Sequence, residues 1–438
     1  MKRLIVALTA LSLLGGCGVL KGSKPKTPTL GERIPVLSGE TSIDVDPALA
    51  EISITLPLAT PNANWAQPGG NAAKSMGHPA LPAALGQAWS VSIGQGGSNK
   101  GGLASTPVVA DGMIYTIDSM AVVSAFDAGT GAKKWETQVK GESKNSNALF
   151  GGGVSFDNGR IYATNGVGQA AALDAKTGEI LWNVRPGGPL RGAPTIANDN
   201  VYVVSQDNQL FALNPANGEV KWTESGTVEL AGVFGSAAPA ASQGSVVAGF
   251  SSGELTAYRY ENGRILWQDA LARTSVTTTV ASLSDIDADP VIDNGRVYAI
   301  GQGGRMVAME LITGQRIWEI NVAGISTPWV AGEWIFVVTD KAQLLAIARS
   351  TGKVKWMTQL PRYRDQKDKK GIIHWVGPVL AGDRLIVANS EGQLTNVSPL
   401  DGAIQSTMET KAAISLTPIV ANNTLYVLND KGQLSAWR

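Results

Sequence analysis

Three features of the sequence predict an all-β fold, namely an eight-bladed β-propeller of four-stranded blades. They are its composition, a repeat of fixed spacing, and a last repeat divided between two parts of the chain. The 438 residues include 51 glycines, and only 16% of them are charged. This composition is typical of a chain rich in turns and poor in long amphipathic helices. A prior of about 150 residues per domain would give three domains, but the repeat that begins at Trp89 indicates one continuous architecture.

Each repeat contains three anchor positions ten residues apart: an aromatic or aliphatic residue, a small residue and, in most repeats, a tryptophan. A glycine stands four residues before the third anchor in all seven complete repeats. β-Branched runs predict strands, and Asp-Gly and Asn-Gly pairs supply the positive φ angles of hairpin turns. The anchors are Tyr115, Ala125 and Trp135; Tyr162, Ala172 and Trp182; Tyr202, Ala212 and Trp222; Val247, Ala257 and Trp267; Tyr298, Ala308 and Trp318; Phe336, Ala346 and Trp356; and the degenerate Ile386, Asn396 and Ser406.

The last repeat indicates how the ring closes. Tyr426 and Ala436 keep the ten-residue spacing, but the third anchor would fall beyond Arg438. Trp89 carries that anchor without a preceding half-repeat, so we expect the N-terminal strand to complete the last blade. A closed ring leaves only short, protected edges. We expect the tryptophans to fill the gaps between blades; with Trp89 they are Trp135, Trp182, Trp222, Trp267, Trp318 and Trp356.

The first residues are typical of an export signal. Lys2 and Arg3 precede a short apolar run, and small residues lead into Cys17, which predicts a signal peptide over residues 1–16. The run is too short for a membrane-spanning helix, which needs about 20 residues. Leu14-Gly15-Gly16-Cys17 resembles the bacterial lipobox, whose cysteine is lipidated. In such lipoproteins an Asp after the cysteine commonly signals inner-membrane retention. The residue here is Gly18, so the resemblance implies the outer membrane.

Residues 17–87 are predicted to be a lipidated N-terminus followed by a proline-rich tether, ahead of a propeller over residues 88–438. Positions 18–87 hold nine of the 21 prolines and show no regular pattern. This composition is typical of a semi-stiff, extended segment. Residues 31–37 are apolar enough to dock on a partner or on the protein's own surface, but a plain spacer is the favoured interpretation.

The connections between repeats vary in length, whereas the repeats themselves do not. The gap is 18 residues from Trp318 to Phe336 but 31 from Trp267 to Tyr298. Insertions in one type of connection project from one side of the ring, which is often the binding side. The insertion at 268–297 carries Asp285, Asp287 and Asp289. It departs from an EF-hand at Pro290, so turn capping or contact with a partner is favoured over calcium.

Two other insertions offer weaker signals. The apolar loop around Val233 and Phe234 is either tucked under the ring or offered to a partner as an interface anchor. The loop over residues 357–385 carries a net charge of +3 between Arg362 and Lys370. Such a run is usually a solvated loop, and contact with an acidic partner or anionic lipid is the alternative.

Several classes of function lack the residues they need. Lys and Arg total 36 and equal Asp and Glu, so the basic surface of a nucleic-acid binder is missing. One cysteine excludes intramolecular disulfides and CxxC metal sites. Two histidines give no triad or histidine metal centre that the sequence supports. Gly166-Val-Gly168 matches the glycine pattern of a dinucleotide-binding loop, but the sequence predicts that it lies between two strands with no helix after it. We therefore predict no catalytic residue, no metal and no cofactor.

The motif from Tyr162 to Trp182, Tyr…Ala-Leu-Asp-x-x-Thr-Gly-x-x-x-Trp, resembles the tryptophan-docking repeat of pyrroloquinoline-quinone (PQQ) dehydrogenases. A lipobox followed by eight such blades, with the segment Leu283–Pro290, is similar to the BamB family of the outer-membrane β-barrel assembly (BAM) machinery. The resemblance implies a lipoprotein, anchored in outer-membrane lipid through Cys17 and facing the periplasm, that binds the POTRA domains of BamA. It nominates Asp285 and Asp287 for that contact, and Val233 and Phe234 in place of the family's Leu-Arg pair.

The leading hypothesis is therefore a non-catalytic scaffold that assists folding and insertion of β-barrel proteins. Such a scaffold would also present sheet edges to unfolded outer-membrane proteins by β-augmentation. One alternative is a propeller lipoprotein that binds another envelope component. The other is a PQQ-dependent dehydrogenase. It is disfavoured because enzymes of that fold typically use vicinal cysteines, calcium ligands and a carboxylate base, for which this sequence lacks the parts.

Overall fold

The computed structural model describes residues 43–97, 102–141, 150–228, 235–271 and 284–438. These residues form eight four-stranded antiparallel sheets and one two-stranded hairpin, and their only helical element is a 3₁₀ turn, Pro47–Leu49. The sheets are the blades of one propeller, so the predicted all-β, eight-bladed fold is confirmed. We number the blades 1 to 8 in chain order.

The first half of the described chain contains strand β1, which comes before blade 1 in the sequence, and blades 1 to 4. The strands are β1 Gln87–Ser92; β2 Val108–Ala110, β3 Met113–Ile117, β4 Val122–Asp127 and β5 Lys133–Gln138 (blade 1); β6 Gly152–Asp157, β7 Arg160–Asn165, β8 Ala170–Asp174 and β9 Ile180–Val184 (blade 2); β10 Thr195–Ala197, β11 Asn200–Val204, β12 Gln209–Leu213 and β13 Val220–Ser225 (blade 3); and β14 Ala240–Ser242, β15 Ser245–Gly249, β16 Glu254–Arg259 and β17 Ile265–Ala270 (blade 4).

The second half contains blades 5 to 8 and a hairpin between blades 6 and 7. The strands are β18 Val291–Asp293, β19 Arg296–Ile300, β20 Met306–Glu310 and β21 Arg316–Ile320 (blade 5); β22 Trp329–Ala331, β23 Trp334–Val338, β24 Gln343–Ala348 and β25 Val354–Gln359 (blade 6); β26 Tyr363–Asp365 and β27 Lys370–Ile372 (hairpin); β28 Trp375–Ala381, β29 Arg384–Asn389, β30 Gln393–Val397 and β31 Ile404–Glu409 (blade 7); and β32 Ile419–Ala421, β33 Thr424–Leu428 and β34 Gln433–Trp437 (blade 8).

Blade 8 is completed from the other end of the chain. Strand β1 pairs antiparallel with β34, and Trp89 lies opposite Ala436, which lies opposite Tyr426. The predicted closure by the N-terminal strand is therefore confirmed. In the other seven blades the three anchors also lie opposite one another on the second, third and fourth strands, as in Tyr298, Ala308 and Trp318. The ten-residue spacing thus encodes strand register.

The tryptophan anchors connect neighbouring blades. The indole nitrogen of Trp318 donates to the carbonyl of Arg349 in blade 6 at 2.8 Å, and the ring packs against Gly352, which has φ +73°. A Cβ at Gly352 would overlap the indole, which explains why the repeat requires glycine there. The same glycine–indole contact occurs at Gly131, Gly178, Gly218, Gly263, Gly314 and Gly402.

Residues 60–80 make one circuit of the ring at the end where the first and second strands of each blade join. The circuit closes on itself, because Thr60 N donates to His78 O at 2.9 Å and Ala80 N donates to Thr60 O at 2.9 Å. Along the way the segment forms hydrogen bonds with all eight blades. The partners are Val109, Phe156, Ile196, Ala241, Ile292, Trp329, Gly382 and Asn422, in blades 1 to 8 respectively. Residues 60–80 therefore do not form a plain spacer, whereas residues 31–37 lie outside the described residues.

Candidate functional site at the loop face

The two ends of the propeller differ, and we name them by what they carry. The capped face is the end covered by residues 60–80, where short turns join the first and second strands of each blade. The loop face is the opposite end, where each outer strand leads into the innermost strand of the next blade. Residues 226–228, 235–239, 284–290 and 360–374 belong to such connections, so the described parts of the three insertions share this face.

A cavity of about 310 Å³ lies on the propeller axis. Trp65, Pro68 and Lys74 from the capping circuit form its floor. Gly235 and Ser415, which line its other end, belong to connections of the loop face. Trp65 is 2% exposed and stacks on Trp329, with ring centroids 6.0 Å apart. The axial channel is therefore closed by the chain's own N-terminal part and accessible from the loop face.

A buried ionic cluster lies beside this cavity, formed by Arg191, Asp285 and Asp287. Arg191 Nη2 lies 2.7 Å from Asp285 Oδ1 and 3.1 Å from Asp287 Oδ1, and it also donates to the carbonyl of Ile286 at 3.3 Å. The Arg191 side chain is fully buried, that of Asp285 is 1% exposed, and that of Asp287 is 12% exposed. Gln302 donates its side-chain amide to the second oxygen of Asp287. We call these three charged residues the Arg191 cluster.

The cluster joins three blades. Arg191 precedes blade 3, whereas Asp285 and Asp287 precede blade 5. Gly235, in the connection that leads into blade 4, lies between them, and a Cβ there would overlap both Arg191 Nη2 and Asp287 Oδ1. Within the described chain, Nε and Nη1 of Arg191 and Oδ2 of Asp285 have no hydrogen-bond partner. The cluster is therefore closely packed, but only some of its polar atoms form hydrogen bonds. Both carboxylates contact the same guanidinium nitrogen, Nη2 of Arg191.

Burial perturbs the carboxyl groups at this site. The pKa of Asp287 is raised to about 6, first because the group is buried and second because the charge of Asp285 is close, while Arg191 and Gln302 oppose the shift. Burial likewise raises the pKa of Asp289, against the opposing charge of Lys74. Asp287 therefore takes up a proton within the range of mildly acidic pH.

Lys74 brings a second buried charge to the cavity floor. Its ammonium donates to Thr195 Oγ1 at 3.2 Å, and burial lowers its pKa to about 8 despite the nearby charge of Asp289. Asp289 Oδ1 in turn accepts from Ala238 N at 2.7 Å. The hydrogen bond joins the capping circuit to strand β10 of blade 3, and the charge of Lys74 acts on Asp289 in the segment that enters blade 5.

The residues nominated from the sequence for partner contact fall into two groups. Asp285 and Asp287 turn inward to Arg191 rather than outward, so at least Asp285 has no surface to offer a partner directly. The physical reason is that an arginine supplied by another blade neutralises them in the interior. Val233 and Phe234 lie outside the described residues, as does Cys17. The seven tryptophan anchors lie on the outer strands, at the blade interfaces.

Arg191 is the site residue that sequence reasoning missed. Arg191 stands three residues before Pro194, and Asp287 stands three residues before Pro290, where each chain segment enters its innermost strand. Opposite charges thus occupy the same repeat position two blades apart, near the axis where the blades converge. That coincidence was the available signal, and it becomes meaningful once the repeats are arranged around a ring.

The remaining candidates carry no chemistry beyond surface charge. The basic run forms the exposed hairpin β26–β27, in which Arg364 Nε contacts Glu391 Oε1 at 2.8 Å and Lys370 Nζ contacts Asp368 Oδ2 at 3.1 Å. No group of three potential metal ligands occurs among the described residues. Nor does any helix in the described ranges have the length and apolarity needed to cross a membrane.

The sequence of this chain matches a family of known proteins. The profile of the family described as "Outer membrane protein assembly factor BamB" matches residues 86–149 and 119–358, together more than half of the chain. This chain is similar to proteins of that name from three bacteria. The Escherichia coli K12 protein is 28% identical over 78% of this chain and 85% of its own length. The Salmonella typhimurium protein is 29% identical (80% of this chain, 87% of the relative), and the Yersinia pestis protein is 26% identical (80% and 88%).

Solved structures agree on the fold. The crystal structure of BamB from Moraxella catarrhalis is similar at 20% identity with a TM-score of 0.68, covering 81% of this chain and all of the other. A europium-containing methanol dehydrogenase reaches a TM-score of 0.66 at 16% identity, covering 83% of this chain and 89% of the other. At these identities the likeness shows the propeller fold alone.

The protein is an eight-bladed propeller of PQQ-like repeats whose axial channel is capped at one end. The chain belongs to the BamB family of outer membrane protein assembly factors.

Proposed function

We propose that this protein is a non-catalytic scaffold of the outer-membrane protein assembly machinery, and that it binds the periplasmic POTRA domains of BamA through its loop face. It is anchored in outer-membrane lipid by Cys17 and faces the periplasm. The observation that carries the choice of face is the capping circuit. Residues 60–80 form hydrogen bonds with all eight blades at the other end of the ring.

In this proposal the Arg191 cluster does not contact the partner. It contributes by fixing the conformation of the segments around it. It fixes the segments that enter blades 3, 4 and 5, two of which follow residues 229–234 and 272–283 in the sequence. Buried charge networks of this kind contribute little net stability, and in some systems they specify one conformation. In this proposal Val233 and Phe234, which precede Gly235 in the sequence, engage the partner.

The choice of a scaffold over an enzyme is supported by the curated relatives, which are named assembly factors, whereas the dehydrogenases share only the fold. Cys17 is the sole cysteine of the sequence, so the chain cannot form the vicinal disulfide typical of quinone enzymes with this fold. A propeller that binds a different envelope component is the second candidate, and the same experiment distinguishes it.

The test is capture of a soluble POTRA fragment of BamA by a tagged soluble form of the protein, residues 18–438, which lacks Cys17 and its lipid. Val233→Glu with Phe234→Glu, directly before Gly235 of the loop face in the sequence, is expected to reduce capture at least tenfold. The matched control is Ile312→Glu with Leu400→Glu, two apolar residues 68% and 54% exposed in turns of the capped face. We expect the control to bind normally. Equal loss in both variants would contradict the choice of face, and no capture by the unaltered protein would reject the BamA assignment.

A further inference from the structure

The interface between blades 7 and 8 lacks the indole that fills the other seven. Each of the seven tryptophan anchors donates its indole N–H to the carbonyl seven residues before the third anchor of the next blade. Trp356 of blade 6, for example, donates to Pro399 O at 3.0 Å. Blade 7 has Ser406 as its third anchor, so no indole extends from it to blade 8.

A cavity of about 220 Å³ lies at this interface. Its walls include all three anchors of blade 7, which are Ile386, Asn396 and Ser406. Leu85 stands four residues before the third anchor of blade 8, where the other blades have glycine, and it lines the cavity without filling it. An engineered apolar cavity of about 150 Å³ binds benzene. The space between blades 7 and 8 therefore suits one planar ring system.

The chain supplies no aromatic ring of its own to this cavity. None of the described residues that line it is aromatic. Residues 1–42 contain no aromatic residue either. Outside the described ranges the only aromatic side chain is that of Phe234, which directly precedes Gly235 in the connection into blade 4. A ring that occupies the cavity must therefore come from another molecule.

Arg384 brings a buried cation to the same cavity. It lines the space and is 6% exposed. Its Nη2 donates to Pro82 O at 2.7 Å and its Nη1 donates to Gly382 O at 3.1 Å, whereas Nε has no hydrogen-bond partner among the described residues. Pro82 stands seven residues before Trp89, so Arg384 binds the carbonyl that an indole binds at the other interfaces.

The charge of Arg384 is not neutralised by a carboxylate of the described chain. None of the ion pairs formed by the described residues includes Arg384; Asp383 acts on it by charge, but the Asp383 side chain is 84% exposed and lies 3.8 Å from His78 Nε2. Burial lowers the pKa of Arg384, and the charge of Asp383 only opposes that shift. Because buried charges are generally paired, the cavity combines room for a ring with a cation that lacks an anionic partner.

We propose that the cavity between blades 7 and 8 binds a small planar aromatic compound that carries a carboxylate, with the ring in the place of the missing indole and the carboxylate on Arg384. Hydrogen bonds between arginine and a carboxylate are charge-assisted and stronger than neutral ones. Small-molecule sites are typically apolar cavities with a few polar groups that fix orientation. The site goes beyond the proposed function, since none of its lining residues lines the axial cavity.

The test uses two probes, indole-3-acetate and indole, which share a ring and differ in the carboxylate. Isothermal titration calorimetry on soluble residues 18–438 is expected to show saturable binding of indole-3-acetate, at least tenfold tighter than that of indole. Ser406→Trp places the indole of the repeat in the cavity and should weaken binding at least tenfold. The matched control Gln405→Trp adds the same side chain at a residue that does not line the cavity, and should bind normally. Arg384→Met should reduce the affinity for indole-3-acetate to that for indole.

A second measurement needs no variant. Met408 lines the cavity, so indole-3-acetate should shift its ε-methyl resonance in protein labelled at the methionine methyls. The resonance of Met357, on the outer strand of blade 6, should not move.

Four results would overturn the inference. They are no saturable binding of indole-3-acetate, equal loss in Ser406→Trp and Gln405→Trp, equal affinity for the two probes, and no shift at Met408. Loss of BamA capture in Ser406→Trp, with neither probe bound, would instead assign the cavity to an aromatic side chain of that partner.

Discussion

The two ends of this propeller are built from the same eight repeats, yet they differ in the connections between strands and in the segment that covers one of them. At the capped face the turns are short and uniform, and residues 60–80 connect all eight blades. At the loop face the connections differ in length from blade to blade, and a partly satisfied ionic cluster lies beside the open end of the axial cavity. One end is thus tied together by the chain's own backbone, and the other is the end to which the proposed function assigns partner binding.

Trp65→Ala tests the capped side of this comparison, and its expected effect is as large as any considered. The side chain is buried on the axis against Trp329, so its removal should lower the free energy of unfolding by about 3–5 kcal/mol. Thermal and denaturant unfolding would measure the loss. Leu58→Ala, two residues before the capping circuit and 89% exposed, is the matched control and should change stability little. Similar losses in the two variants would show that the circuit does not stabilise the ring.

Arg191→Met tests the loop side. It leaves Asp285 and Asp287 buried without their cation, which should cost about 3–5 kcal/mol. Combining it with Asp285→Asn and Asp287→Asn should recover most of that stability, because no buried charge remains. We expect the triple variant to fold but to capture the BamA fragment more weakly than the unaltered protein. Full capture would show that the cluster does not position the loops.

Asp287→Asn tests the protonation of the cluster and has the smallest expected effect. The folded protein holds the Asp287 proton more tightly than the unfolded chain, since its pKa is raised from 3.8 to about 6. The contribution of this group to stability is therefore greatest below pH 4, falls as the pH rises to 6, and is constant above. Melting temperatures from pH 4.5 to 7.5 should show Asp287→Asn gaining on the unaltered protein as pH rises. The exposed-site control Asp368→Asn should show no such trend.

The sequence predicted the ring well because its spacing is a local property. Ten residues between Tyr426, Ala436 and their counterparts correspond to facing positions on adjacent strands, and the displaced Trp89 indicated closure. The capping circuit was not predicted because its contacts are made blade by blade through backbone groups, which leave no periodic pattern. Arg191 was missed for a related reason: its partners are 94 and 96 residues away, and they meet only near the axis.

The most direct test of the account is hydrogen–deuterium exchange of the mature protein with and without the soluble POTRA fragment of BamA. The account predicts that binding protects backbone amides in residues 226–228, 235–239 and 284–290, at the loop face. It predicts no added protection in residues 60–80 or in the turn at 311–315, which belong to the capped face. Protection confined to the capped face, or no protection at all, would contradict the assignment of function to the loop face.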